Sequence, residues 1–411
     1  MDRQDLAKGI VSYSHLSNIE SGRFIPSEEI LVSLSRRLKV PEEYLIKYNE
    51  KDQHLEELII SLKMKIDQLD VKEAANIINK IQSNYPFISS LFQEIFFNLL
   101  KGYFFYKKGD TKKTIAILEK SVLPGLENSN FDILPSDFKE VYYYLLGIKA
   151  FFNEDYYSSY HFFIQQSSLI KSELLKGINC FNIALALYKT NNILSAVTYA
   201  EKALTIYLHE HHWENAGDAD NLLGVLYWEN KDFKNAERYL NHALKISNQY
   251  KLIKLKGKIL HNLGLIYKDQ KIFEKSLEYF YQSLDIKKQY DLKNNILITY
   301  NSILHIYIDQ EELFKAEEIL KEAKVNCINE HEQYFLKAVE AKLNNKLQKF
   351  DTYELLMEEA ANYFFKNGKW GYAKEIAFEL GNYYLDLKRY KQASLYLKTA
   401  FEAGEKICKE V

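Results

Sequence analysis

One pattern of residues recurs at intervals of 40 positions along the middle of the chain. In the segment 261–284, a small residue at 264 is followed by an aromatic residue 3 positions later and by further small residues 12 and 19 positions later. The first positions of four successive copies are Ala184, Gly224, Gly264 and Leu304. A fixed period of this length predicts an array of similar units rather than a chain folded around one central core.

Further copies extend the pattern on both sides. They begin at Gly102, Gly147 and Gly381, and weaker ones lie near 54–81 and 332–365. Proline (5 residues) and glycine (15) are scarce among the 411 residues, which favours helices because both residues weaken them. The offsets resemble the tetratricopeptide repeat, a pair of helices that approach closely at small residues. This resemblance implies an all-α chain in which residues 52–411 form a right-handed superhelix of about nine helix pairs, with the first helices lining a concave channel.

The first 48 residues carry a different pattern, which predicts a helix-turn-helix domain. Short helices are expected at 4–8, from 12 or 14 to about 20, and at 27–38. Gly9 and Gly22 can end the first two helices in left-handed turns, and Pro26 can open the third. Helix, tight turn and helix form the frame that places a recognition helix in the major groove of DNA.

These residues resemble the lambda-repressor-like family of helix-turn-helix domains. The match consists of Leu6-Ala7, Ser12, Leu16-Ser17, Ile19-Glu20, Gly22, Pro26, Leu31, Leu34 and Leu38. The resemblance implies that Tyr13, Ser14 and Asn18 read base edges, and that Gln4, Ser12, Ser17 and Arg23 hold phosphates. Asn18 is the most informative of these, because an amide can bond bidentately to adenine.

Two features depart from the family pattern. The family's first helix would precede Gln4, so we expect that helix to be missing from this domain. Residues 1–40 contain six basic and five acidic side chains, and the resulting net charge of +1 attracts phosphate weakly. The alternative interpretation of these residues is a degenerate helical cap on the repeat array.

Asparagines recur near one phase of the predicted first helices, at Asn182, Asn221, Asn262 and Asn301. A side-chain amide there can donate to the carbonyl groups of an extended peptide and accept from its N–H groups. Side chains that could form pockets for such a peptide are Tyr143, Tyr144, Asp220, Tyr227, Trp228, His261 and Tyr300. The alternative is that each asparagine caps or solvates its own helix.

Several classes of protein are disfavoured. The formal net charge of −2 provides no general basic field, and three widely spaced cysteines predict neither disulfides nor a zinc site. The chain shows no apolar signal segment and no apolar run of about 18 residues, so we expect a cytoplasmic protein without membrane contact. The histidine tract at 209–212 has no cysteine or acidic partner at ligand spacing, and no catalytic motif is visible, so neither a metal, a cofactor nor an enzyme is predicted.

The combination of domains resembles the RRNPP family of Firmicute quorum-sensing regulators. The segment 6–27, the 40-residue repeats and the total length are most similar to its NprR branch, with PlcR and the Rap proteins as relatives. The resemblance implies a regulator that binds a short signalling peptide in its channel and thereby switches its homodimer or higher oligomer and its binding to a double-stranded DNA operator. It also implies an alternative, in which the peptide controls binding to a response regulator of the sporulation phosphorelay.

Overall fold

The computed structural model describes residues 2–47, 50–126, 131 and 134–410, together with the side chains of all of these except 294 and 408–410. Every regular element among the described residues is helical, and none is a strand. The predicted all-α class is therefore confirmed, with a helix-turn-helix followed by tetratricopeptide-like repeats.

The N-terminal elements match the predicted helices closely. They are α1 (Arg3–Ala7), α2 (Tyr13–Glu20) and α3 (Glu28–Leu38), followed by a 3₁₀ turn (Glu42–Tyr44). Gly9 and Gly22 follow the first two helices with φ of 72° and 70°, the left-handed conformation that glycine adopts without strain. The Ser12 hydroxyl caps α2 by accepting from the backbone N–H of His15.

Two contacts hold these three helices together. Ala7, Leu16 and Leu34, one from each helix, form the buried core of the domain. The guanidinium of Arg37 on α3 donates to the carbonyl oxygens of Asp5, Leu6 and Lys8 at the end of α1. Arg37 thereby satisfies carbonyl groups that the end of a helix leaves without partners.

The repeats begin at residue 53 and form nine consecutive two-helix units among the described residues. In order, they are α4 (Gln53–Asp67) and α5 (Val71–Asn84); α6 (Leu91–Lys107) and α7 (Thr111–Ile117), which continues through a π-helical turn (Leu118–Val122) into α8 (Leu123–Leu126); α9 (Ser136–Phe152) and α10 (Tyr156–Ser167); α11 (Glu173–Lys189) and α12 (Ile193–His209); α13 (Trp213–Glu229) and α14 (Phe233–Gln249); α15 (Ile253–Asp269) and α16 (Phe273–Gln289); α17 (Ile296–Asp309) and α18 (Leu313–Val325); α19 (Glu330–Lys346) and α20 (Phe350–Lys366); and α21 (Trp370–Asp386) and α22 (Tyr390–Glu410).

Contacts divide the chain into two compact units, Met1–Lys149 and Ala150–Val411. The division falls inside α9. The helix-turn-helix therefore belongs to the first unit together with the first repeats. Within that unit, the Tyr44 hydroxyl donates to Glu94 of α6 at 2.8 Å.

The helices of α11 to α16 explain the period of 40. Each has 17 residues and is joined to the next by three residues, so a half-repeat spans 20. The middle residue of each connection has a left-handed φ between 56° and 62°; these residues are Asn191, His211, Lys231, Lys251 and Lys271. At the first of these turns, the N–H of Asn192 donates to the carbonyl of Leu187, the Schellman arrangement that ends a helix.

The small residues of the repeat pattern lie where paired helices approach most closely. A Cβ added to Gly264 would lie 2.5 Å from the Phe280 ring, and one added to Gly224 would lie 2.5 Å from Leu240. The Ser276 hydroxyl donates to the carbonyl of Gly264 at 2.7 Å. The glycine and the large side chain 16 positions later are therefore fitted to each other in size.

Adding a methyl group to Gly264 is expected to destabilise the chain. Phe280 is fully buried, so Gly264→Ala forces its ring to move and lowers the free energy of unfolding by about 1–3 kcal/mol. Urea unfolding measures this change, and shortening the partner in Gly264→Ala/Phe280→Leu should recover part of it. Gly371→Ala is the matched control, because no atom lies within 4 Å of the added Cβ. Equal effects of the two glycine substitutions would contradict the packing interpretation.

Candidate functional site

The four predicted asparagines lie one on each of four successive first helices. Asn182 is on α11, Asn221 on α13, Asn262 on α15 and Asn301 on α17. We call these four side chains, one on each helix, the asparagine row. The amide of Asn262 donates to the Asn221 carbonyl oxygen at 2.8 Å, so neighbouring first helices touch through the row.

The ends of the asparagine row carry polar atoms without partners among the described residues. The Asn182 side-chain nitrogen and the Asn301 side-chain oxygen are both buried and make no hydrogen bond. Buried polar atoms are nearly always paired, and each one left unpaired costs about 1–3 kcal/mol. One end of the row therefore has a free donor, and the other end has a free acceptor.

Asp220 is deeply buried rather than exposed at a pocket wall. One carboxylate oxygen lies 2.6 Å from the His242 Nδ1, and the other has no partner among the described residues. Burial raises the pKa of Asp220 to about 6, although the charge and hydrogen bond of His242 act in the opposite direction. Asp220 and His242 thus form a hydrogen-bonded carboxylate–imidazole pair, and Asp220 immediately precedes Asn221 in the chain.

His261 and Tyr300 are also interior side chains. His261 lies 3.1 Å through Nδ1 from the Thr299 hydroxyl, and burial together with the charge of Lys287 lowers its pKa to about 3. The imidazole is therefore neutral at physiological pH. The Tyr300 hydroxyl donates to Glu322 at 3.2 Å.

Tyr227 and Trp228 make contacts with other helices of the array. The Tyr227 ring stacks on Tyr239 with centroids 5.3 Å apart, and Tyr267 stacks on Tyr279 in the same way one repeat later. This recurrence indicates a packing role for Tyr227. The Trp228 indole donates to Asp269 of α15 at 2.9 Å, so it joins two successive first helices.

Tyr143 and Tyr144 belong to the first unit. Tyr144 is buried with its ring edge against Tyr103 and Tyr106, and Tyr143 contacts the rings of Phe131 and Tyr142. Both tyrosines therefore lie in an aromatic cluster formed largely by α6 and α9.

A lysine-lined cavity of about 720 Å³ was not anticipated from the sequence. It adjoins Asn262 and His261 on α15 and is also lined by Lys254, Lys258, Lys287 and Lys293. Lys287 is only 5% exposed. Its repeat-equivalent positions are 207 and 247, so a comparison of those positions could have identified it as unusual.

The predicted DNA-reading residues are all exposed. Tyr13, Ser14, Ser17 and Asn18 are all exposed on α2, and Ser14 and Asn18 fall on the side opposite the buried Leu16. Gln4, Ser12 and Arg23 are exposed as well. A helix with this exposed face can enter a major groove while its other face remains packed.

Basic side chains near α2 are partly used within the domain. Arg3 pairs with Glu20 at 3.0 Å, Arg36 pairs with Glu42 at 2.8 Å, and Arg37 is bonded to the end of α1. Lys8, Arg23 and Lys39 make no ion pair among the described residues. These three cations are the ones available to phosphate.

The buried Asp220 carboxyl, which pairs with the partly exposed His242, gives the stability of the chain a measurable pH dependence. Because the pKa of Asp220 is raised on folding, the native chain holds a proton between about pH 4 and 6 that the unfolded chain has released. The free energy of unfolding of the wild type, relative to Asp220→Asn, is therefore expected to fall as the pH rises through this range. Urea unfolding at a series of pH values measures the difference. His242→Gln removes the group that lowers this pKa and should extend the fall to higher pH, whereas parallel profiles for wild type and Asp220→Asn would contradict this account.

In the part of the chain that the structure describes, no helix is both long and apolar enough to cross a bilayer, and no group of three or more His, Cys, Asp or Glu side chains is arranged to hold a metal ion.

Comparison with known protein families identifies both kinds of domain. Residues 1–45 match a helix-turn-helix family. Residues 178–249 match one tetratricopeptide-repeat family, and residues 257–290 and 375–403 match another. The matches fall on α1–α3 and on the paired helices described above.

Comparison with whole proteins gives relatives that match over most of the chain. The transcriptional activator NprA of Geobacillus stearothermophilus is 24% identical over 408 residues, which cover 97% of this chain and 98% of NprA. The apo form of the quorum sensor NprR from B. thuringiensis superposes with a TM-score of 0.69 at 18% identity, covering 85% of this chain and 99% of that structure. The structure of a Rap protein complexed with competence and sporulation factor superposes with a TM-score of 0.65 at 13% identity, covering 88% of this chain and 100% of that structure. The chain thus combines a helix-turn-helix with tetratricopeptide repeats and is similar to these regulators over most of its length, which agrees with the predicted resemblance to the RRNPP family.

Proposed function

We propose that this chain is a cytoplasmic transcription regulator, not an enzyme, that responds to a short signalling peptide. The peptide binds along the asparagine row, and the bound state changes the association of the chain with itself and with a double-stranded DNA operator. No cofactor takes part.

The observation that carries this proposal is the pair of unsatisfied atoms at the ends of the asparagine row. An extended peptide presents alternating C=O and N–H groups. A peptide C=O can accept from the Asn182 amide, and a peptide N–H can donate to the Asn301 side-chain oxygen. Three intervals of about 9 Å between helix axes make a row of roughly 27 Å, which about eight extended residues would span. The proposed ligand is therefore an oligopeptide.

Removing either unsatisfied amide is expected to weaken peptide binding. Each hydrogen bond contributes about 0.5–1.5 kcal/mol, so Asn182→Ala and Asn301→Ala should each lower affinity roughly twofold to tenfold. Calorimetry measures this with a peptide selected from a random heptapeptide mixture by retention on the wild-type chain. Asn235→Ala is the control, because Asn235 lies on the second helix α14 and bonds to Asp232. Unchanged affinity in both row variants would overturn the binding mode.

The output of the regulator is assigned to the exposed face of α2. Tyr13, Ser14 and Asn18 read bases in this proposal, while Gln4, Ser12, Ser17 and Arg23 contact phosphates. The Ser12 hydroxyl oxygen accepts from His15 and lies 3.1 Å from the Ser14 hydroxyl, so when Ser14 is the donor Ser12 keeps its own proton for a phosphate oxygen.

Substitutions on α2 and in the turn that follows it are expected to separate the two kinds of DNA contact. Asn18→Ala should relax the preference for adenine at one position and cost about 1–3 kcal/mol of binding free energy. Arg23→Ala should weaken binding to all DNA sequences alike and reduce by about 1 the slope of the logarithm of the binding constant against the logarithm of the salt concentration. Selection from random duplexes, followed by gel-shift titration at several salt concentrations, measures both effects. Identical sequence preferences in wild type and Asn18→Ala would contradict the assignment.

Self-association is assigned to the C-terminal pair. Tyr390, Leu395 and Phe401 of α22 are 58–67% exposed. Large exposed apolar side chains of this kind are typical of protein interfaces. In the proposal, this surface forms a homodimer or higher homo-oligomer and so sets the spacing of two DNA-reading helices.

A second function is favoured by the small number of free cations on the N-terminal domain. With Lys8, Arg23 and Lys39 as the unpaired basic groups among the described residues, that domain is also suited to a protein partner, namely a response regulator of the sporulation phosphorelay. Gel shifts distinguish the two functions. No shift of any duplex with or without peptide, together with capture of a response regulator, would favour the second.

A further inference from the structure

The lysine-lined cavity lies between the start of α15, the end of α16 and the start of α17. Its volume of about 720 Å³ is within the range of small-ligand sites. Its wall includes Asn262, so the cavity opens next to the asparagine row. A ligand bound along the row can therefore place one group inside the cavity.

The charge of the cavity wall is strongly positive. It contains four lysines and one carboxylate, Asp291, while His261 is neutral. Lys293 pairs with Asp291 at 3.4 Å, and Lys258 pairs with Asp218 at 3.3 Å. Lys254 at the exposed rim and Lys287 in the interior have no carboxylate partner among the described residues.

Lys287 is the most unusual of these groups. Its ammonium nitrogen donates to the Thr299 hydroxyl at 2.7 Å and to the Asn295 carbonyl at 3.0 Å, which leaves one of its three protons without an acceptor among the described residues. Burial lowers its pKa to about 8. Lysine is almost never fully buried without an acidic partner, because desolvation of the charge is costly.

A purely structural role does not explain the charge. Lys287 does brace the turn that opens α17 through Asn295, but neutral side chains fill the equivalent interior positions of the two preceding repeats, Tyr207 and Ser247. The Thr299 hydroxyl, which accepts from Lys287, can in turn donate to the Nδ1 atom of the neutral His261. The Lys287–Thr299–His261 chain is therefore an addition to the repeat, buried at the wall of a cavity.

We infer that this cavity is a subsite for a carboxylate of the bound peptide, with Lys287 and Lys254 as the cationic partners of that carboxylate. The inference rests on the proposed peptide-binding function, since the ligand reaches the cavity along the asparagine row. The carboxylate is supplied either by the peptide's C-terminus or by an aspartate or glutamate side chain. Both sources present the same pair of acceptor oxygens to an ammonium group.

Two random heptapeptide mixtures test the inference with the full-length chain. One mixture has free C-termini and the other has C-terminal amides, and mass spectrometry identifies the peptides retained by each variant. The wild type is expected to retain free-acid peptides over amidated ones if the C-terminus enters the cavity, or peptides rich in Asp and Glu in both mixtures if a side chain enters.

Removing the buried charge should abolish this selection. Lys287→Met keeps the length and apolar stem of the side chain, and it is expected to lower the affinity of a selected acidic peptide roughly tenfold to hundredfold. Lys254→Met, at the solvent-exposed rim, should produce a smaller loss without disturbing the interior. Lys288→Met is the matched control, because Lys288 pairs with Glu322 at 2.9 Å.

The outcomes separate the two levels of the proposal. The subsite is overturned if the wild type retains peptides without any preference for carboxylates, or if Lys287→Met keeps the same preference. The proposed peptide binding still stands in that case if Asn182→Ala and Asn301→Ala reduce the retention of peptide. Retention of no peptide by the wild type contradicts the proposed function and the subsite with it.

Discussion

Close contact between the two helices of each repeat is the constraint on which the rest of the array depends. At Gly264 the first helix has no side chain, and the ring of Phe280 fills the space that a Cβ would need. Helices of 17 residues and connections of three then repeat this contact every 40 positions. Residues at one phase of the first helices consequently recur at similar places, which is how four separate asparagines come to form one row.

The sequence predicted the helices well because their signals are local. Repeated small residues, capping serines and turn glycines specify where helices begin, end and approach, and the helices α1 to α3 match their predicted ranges within about a residue or two. The left-handed turns at lysine and histidine residues were not predictable, because glycine is the residue that normally marks such a turn. Lys251 has the same left-handed backbone conformation as Gly368, because the surrounding repeat imposes it at both turns.

The candidate site was less predictable, because its chemistry depends on long-range neighbours. Asn262 could be recognised from its position in the repeat, but its bond to Asn221 requires knowing which helices lie side by side. Asp220 is buried and bonded to His242, which no local pattern indicates. Lys287 carries no local signal, because it does not occupy one of the small or aromatic positions that define the repeat pattern.

Contacts between successive first helices give a physical route from ligand to response. The Asn262–Asn221 bond and the Lys258–Asp218 pair both join α13 to α15, and Trp228 joins the same two helices through Asp269. A repeat array has few contacts beyond nearest neighbours, so a ligand that spans several first helices can favour one spacing by its differential contacts. In the proposed regulator, the carboxylate cavity fixes one group of the ligand against this set of helices.

The central claim is that a peptide lies along the first helices of the array. Photo-crosslinking tests it most directly, with a retained heptapeptide that carries one photoreactive residue at each position in turn. The account predicts crosslinks to α11, α13, α15 and α17, moving from one helix to the next as the photoreactive residue moves along the peptide. Crosslinks confined to the second helices α12, α14, α16 and α18 would contradict it.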